Sequence, residues 1–125
     1  MRKRAFVIMP SAEFPQSEEK KEVIKSCAIE HNWTVQLPEY DRVNPSFDLA
    51  STMEAISKSD LVLVDLSNER PSCYFELGLA ESLGANVVAL AIEGTPIHQT
   101  SNRVSVIFFA NIPEFRHRVE QCLSG

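Results

Sequence analysis

Glycine is scarce in this 125-residue chain: there are four, and none stands in the turn that would follow the first apolar run. A glycine-rich phosphate cradle of the dinucleotide-binding kind is therefore excluded, since glycine is what lets backbone approach a pyrophosphate. Cysteine is equally sparse. Cys27, Cys73 and Cys122 are far apart and odd in number, which gives no metal-ligand spacing and no disulfide framework, and suits a reducing cytoplasm. His31, His98 and His117 are scattered and form neither a metal set nor a triad. No cofactor and no metal are expected. Positive charge is in deficit, with 12 Lys and Arg against 17 Asp and Glu and a net charge of -5. A nucleic-acid polymer or an anionic membrane needs a basic face, so neither is an expected partner. A single nucleotide stays open, because a small anion needs only local donors. No apolar run approaches the ~20 residues of a membrane helix. Met1-Arg2-Lys3-Arg4 imitates the start of a signal peptide, but the apolar run behind it (5–9) is too short and ends at Pro10.

What is present is an alternation of short apolar runs and helical stretches, without repeats or linkers. The runs 5–9, 34–37, 61–66, 87–92 and 104–109 read as strands. Helices are expected over 17–31, about 48–57, about 73–83 and 113–123, with Ser17 as the first cap and Gly84 stopping the third. The continuous LVLVDL of the third strand suits burial on both faces. Such β/α units predict one α/β domain over 1–125. It would be a doubly wound, flavodoxin-like or Rossmann-like sandwich of three layers, around a five-stranded parallel sheet of order 2-1-3-4-5. Ligands of such sheets bind beyond the carboxyl ends of the strands. That rule selects the loops 10–16, 38–47 and 67–72.

Glu76 stands out on the third helix. It shares a face with Cys73, Ala80 and Leu83, so a carboxylate lies on a stripe otherwise suited to burial. With the helix starting near Cys73, Glu76 would lie in the first turn, where the dipole favours its anion. Periodicity leaves two readings open, a functional carboxylate and a plain answer to the helix N-terminus. Asp65, near the end of the third strand, is a second candidate. It would be a general acid/base or sugar ligand, or else hydrogen-bond the following loop. Asp48 is either a ligand-edge carboxylate or an N-cap, while Asp60 reads as a turn or cap residue. Met9, Pro10 and Ser11 would border the crevice beside Ser67, Asn68, Pro71 and Ser72, small polar or turn residues able to meet a sugar or base. Tyr74 is a pocket candidate and Phe75 a core one. Ser101, Asn102 and Arg103 form a polar cluster before the last strand.

These residues resemble a family. SDLVLVDLS followed by NERPSCYFELGLAESLGANVVAL, with RAFVIMP at the start, is similar to the nucleoside 2-deoxyribosyltransferase superfamily, which includes the 2′-deoxynucleoside 5′-phosphate N-hydrolases. Its sharpest element is Tyr74-Phe75-Glu76-Leu77-Gly78. The resemblance implies that Glu76 attacks the anomeric carbon of a nucleoside or nucleotide, that Gly78 belongs to the site motif, and that a homodimer or larger homo-oligomer completes each pocket. The 101–103 segment would then reach the neighbour. Two departures stand beside it. Where the family often carries an Asp in the second helix, this chain has Ser51-Thr52-Met53, with Glu54 and Asp48 as the near carboxylates. Where phosphate-binding members have a glycine-rich turn, it has Met9-Pro10-Ser11-Ala12. Phe75-Glu76-Leu77-Gly78 also resembles Toll/interleukin receptor-type domains that cleave NAD. A non-catalytic nucleotide-binding or signalling module on the same fold is the further alternative.

Overall fold

A computed structural model describes residues 2–10, 16–38, 48–67, 69–98, 100–101 and 103–124. Ser11, Asn68 and Asn102 lie outside the described residues, as do most positions of the 10–16 and 38–47 loops. The elements in chain order are β1 (Lys3–Ile8), α1 (Ser17–His31), β2 (Trp33–Gln36), α2 (Leu49–Ser57), β3 (Leu61–Asp65), α3 (Pro71–Ser82), β4 (Val87–Ile92), β5 (Val106–Phe109) and α4 (Ile112–Ser124). All pairings are parallel, and the sheet order is β2-β1-β3-β4-β5. The expected doubly wound topology is thus observed.

Side-chain alternation sorts the core into two layers. Ala5, Val7, Leu61, Leu63 and Leu90 face α1 and α4, with Cys27, Phe115 and Val119. Phe6, Ile8, Val62, Val64, Ala89 and Ala91 face the other way, onto Ile56 of α2 and Cys73, Leu77 and Ala80 of α3. Every residue of β3 is buried, as a central parallel strand covered on both faces requires. Phe109 and Phe115 meet edge to face at 5.0 Å, and the Trp33 indole N–H donates to the Leu123 carbonyl at 2.8 Å, tying the first layer to the chain end.

Two helix starts differ from expectation. Ser17 does not cap α1. Gln16 does, in a left-handed conformation with φ 66° and without a side-chain bond, and Ser17 is buried as the first helical residue. Helix α3 begins at Pro71, two residues early, because proline lacks only an N–H that the first turn leaves orphaned anyway. Glu76 therefore lies in the second turn. The end of α3 is as expected: Gly84 takes φ 73°, its N–H donates to Glu81 O and that of Ala85 to Ala80 O, the paired bonds of a Schellman motif.

Candidate active site

The carboxyl ends of β1, β3 and β4 and the amino ends of α1 and α3 share one edge of the sheet. Two of the three described non-glycine residues with positive φ lie there, the third being Asn32 at the end of α1. Gln16 and Glu69, neither of them glycine, hold φ of 66° and 49° just ahead of α1 and α3. Each such residue costs on the order of 1 kcal/mol and persists where the surroundings over-determine it.

Glu76 is half-buried on α3, and burial alone raises its pKa above the usual carboxylate range. Its carboxylate makes no hydrogen bond or ion pair with another described residue. Its place in the second turn removes the capping explanation, since dipole effects fade beyond the first. Below it Cys73 is buried and its thiol is pushed up to about 12, by burial first and then by the charges of Glu76 and Asp65. That shift keeps the buried thiol protonated at neutral pH.

Asp65 has a different environment. It ends β3 on the side facing α1 and is 4% exposed. Its Oδ2 meets Lys20 Nζ at 2.7 Å, while Oδ1 accepts from the Ser67 N–H at 3.0 Å and the Ser67 hydroxyl at 2.6 Å. The loop-bonding role open to it in the sequence is the one observed. Asp48 caps α2, accepting from the Ser51 N–H at 3.0 Å, and that bond holds its carboxyl below the ordinary value. Glu54 pairs with Lys58 at 2.8 Å on the exposed face of α2. Asp60 receives the Arg4 N–H at the opposite, amino end of the sheet.

The other named residues divide. Met9 and Pro10 are buried, Met9 within the α1 and α4 layer. Pro71 and Ser72 are exposed on the first turn of α3. Tyr74, Gly78 and Ser101 come together, lining with Phe75 and Thr100 a groove of about 550 Å³ between α3 and the segment after β4. Polar contacts fasten that segment. His98 Nδ1 contacts Glu69, the Tyr74 hydroxyl donates to Glu69 at 3.3 Å, and Ser101 and Arg103 both engage Glu81. A helix turns about 100° per residue. Tyr74 and Gly78 therefore project from one flank of α3 and Glu76 from the other, the flank towards α2. Two residues expected to share a pocket with Glu76 thus lie across the helix from it. A second hollow, about 330 Å³, is lined by Arg4, Gln36, Ser51 and Lys58 among others and lies towards the amino ends, away from Glu76.

Lys20 is the residue that the sequence reading missed. Its signal was present: it stands three and four residues before Val23 and Ile24 and seven before Cys27, on the apolar stripe of α1. Among the described residues no group of His, Cys, Asp and Glu could hold a metal ion, and no helix is long and apolar enough to cross a membrane.

No family model matches the chain, and no curated relative matches it by sequence. Solved structures do. A CMP N-glycosidase of Clostridium botulinum, BcmB, superposes with a TM-score of 0.72 at 22% identity, over 97% of this chain and 100% of that one. A response regulator receiver domain protein of Bacillus halodurans gives 0.60 at 14% identity, over 97% of each chain. A region of a fungal multi-domain GH3 β-N-acetylglucosaminidase gives 0.65 at 15%, covering 99% of this chain and 14% of the other. This likeness is one of fold.

Proposed function

We propose that this protein cleaves the N-glycosidic bond of a nucleoside or nucleotide, with the Glu76 carboxylate as nucleophile. The carrying observation is the state of Glu76: a half-buried carboxylate, raised by burial and joined to no other described residue, at the ligand edge of the sheet. The end-to-end likeness to a CMP N-glycosidase supports the same chemistry. Breaking the C1′–N bond leaves positive charge on the sugar, and a fixed anion either stabilises that charge or bonds to C1′. The base departs with the bonding pair and takes up a proton. Water then opens the glycosyl ester to free sugar and restores Glu76, or a second base takes its place and the reaction is a transfer. Glu76 must be ionised to act, so its raised pKa places the acid limb of activity above the ordinary Glu value of about 4.3. A homo-oligomer, with the 101–103 segment reaching a neighbour, belongs to the same proposal.

The test is base release from a panel of nucleosides, deoxynucleosides and their monophosphates, followed by chromatography. Glu76→Ala is expected to abolish release, and turnover at the wild-type rate would refute the assignment. One observation favours a second reading, a nucleotide-binding module without turnover. On α2 the described carboxylates are committed elsewhere, Asp48 to its cap and Glu54 to Lys58. In that case a nucleotide raises the melting temperature while no free base appears.

A further inference from the structure

Lys20 and Asp65 are the buried charged residues among those described. The Lys20 ammonium lies 2.7 Å from Asp65 and over the rings of Phe109 and Phe115, at 5.2 and 5.8 Å from their centroids. The bonds continue beyond the pair. Asp65 Oδ1 holds both polar groups of Ser67, and Ser67 Oγ in turn accepts the Ile92 N–H at 2.9 Å. Thr95 closes the far side, its hydroxyl donating to Ile92 O at 2.7 Å. One connected set of bonds thus joins α1, the ends of β3 and β4, and the turn leading into α3.

Two apolar side chains of similar volume would serve stability there at least as well as a buried ion pair. The pair gains its meaning from what it fixes. The turn into α3 is short and internally bonded, with the Glu69 N–H on Leu66 O and the Cys73 N–H on Arg70 O. Pinning Ser67 therefore sets the position of the helix that carries Glu76.

We propose that Lys20 and Asp65 are a positioning pair that holds the β3–α3 turn, and through it Glu76, in place. This rests on the reading of Glu76 as the reacting carboxylate. Asp65 then transfers no proton to the leaving base: both of its oxygens are occupied and it faces α1. The proton comes from another group.

Lys20→Met, Asp65→Asn and the neutral double variant separate these roles. Amide exchange at Ser67 and Ile92 and backbone shifts over 71–77 are read by NMR, and base release from the nucleotide panel is read across pH. In each single variant, exchange at both amides is expected to speed by at least about tenfold, with the 71–77 shifts moved. Release is expected to fall on the order of 10²-fold at every pH, the loss typical of a displaced reacting group, with both limbs of the profile retained. Unchanged exchange and unmoved shifts would overturn the proposal. So would loss of the alkaline limb alone in Asp65→Asn, which is the mark of a proton donor. Should the single variants not fold, the double variant carries the same readouts, because it leaves no uncompensated charge. If the wild-type protein releases no base from any substrate, the glycosidase reading fails, and exchange and shifts alone decide the positioning role.

Discussion

Asp65 and Glu76 are both carboxylates near the same edge of one sheet, and both are withdrawn from solvent. Asp65 is almost fully buried, and both of its carboxylate oxygens have partners. Glu76 is less buried, and its carboxylate bonds to no other described residue. Depth of burial is therefore not what separates the fastening role of Asp65 from the chemical role proposed for Glu76. What distinguishes them is whether the fold itself satisfies the charge. A carboxylate held by a lysine, a backbone amide and a hydroxyl is a fastening. One raised by burial, with no bond from its carboxylate to another described residue, is what the proposed nucleophile requires.

The contrast predicts opposite outcomes for neutralising each group. Glu76→Gln is expected to lower base release on the order of 10³-fold or more, the scale of removing a nucleophile. The same change should stabilise the protein at neutral pH. Burial raises the folded-state pKa of Glu76 above its unfolded value, so folding favours the protonated form. The cost of holding the anion is absent below about pH 4.3 and fully present once pH exceeds the folded pKa. Glu76→Gln should therefore melt a few degrees above wild type at pH 7, roughly 1 kcal/mol for relieving a poorly solvated polar group. The gap should close as pH falls towards about 4. A variant that melts lower at pH 7 would mean that Glu76 has a partner after all.

Lys20→Met tests the other half, and its expected effect on stability is larger. It strands the Asp65 anion inside the α1 layer, which costs about 3–5 kcal/mol. Removing both charges in the double variant should recover much of that loss. Denaturant melts of the four proteins form the cycle, and additive losses in the two singles would show that the charges do not depend on each other.

The fold was legible because its signals are local and repeated. Strand β4 and helix α1 are found at the expected residues, since VVALAI is a short continuous apolar run rich in β-branched residues and Val23, Ile24, Cys27 and Ala28 form a stripe of helical period. The start of α3 was misplaced because Pro71 reads equally as loop or as first helical residue until tertiary packing chooses. The site was less legible, and for a different reason. Which flank of α3 faces a given loop depends on where the segment after β4 crosses the helix, and that crossing is set by Glu81 with Ser101 and Arg103, and by Glu69 with His98. Those partners are 20 or more residues apart. The family resemblance grouped Tyr74 and Gly78 with Glu76 in one motif, whereas helix rotation puts them on opposite flanks of α3.

Asp48 supplies a smaller test of the same distinction. It is a solvated N-cap whose lowered pKa comes from the Ser51 amide. Asp48→Ala is expected to lower the midpoint of thermal or denaturant melts, as loss of an N-cap does. Asp48→Asn, which keeps an acceptor, should cost a fraction of that and leave base release within about twofold, the scatter expected of a group without a chemical role. A large loss of turnover in Asp48→Asn would instead mark it as the missing second carboxylate.

Gly78 tests whether the two flanks of α3 differ. It lies inside the helix, and a Cβ built there meets nothing within 4 Å. Glycine in a helix interior costs about 0.8–1.0 kcal/mol relative to alanine. Gly78→Ala should therefore raise stability by up to that amount, because neither packing among the described residues nor backbone conformation requires the glycine. Since Gly78 projects from the Tyr74 flank, the added methyl should leave Glu76 and its turnover untouched. Melting and base release measured on one preparation decide the matter. A more stable protein with wild-type release confines the chemistry to the α2 side of α3. A more stable protein that loses release, or that no longer self-associates in light scattering, would mean that another surface closes onto this flank and needs the bare backbone at Gly78.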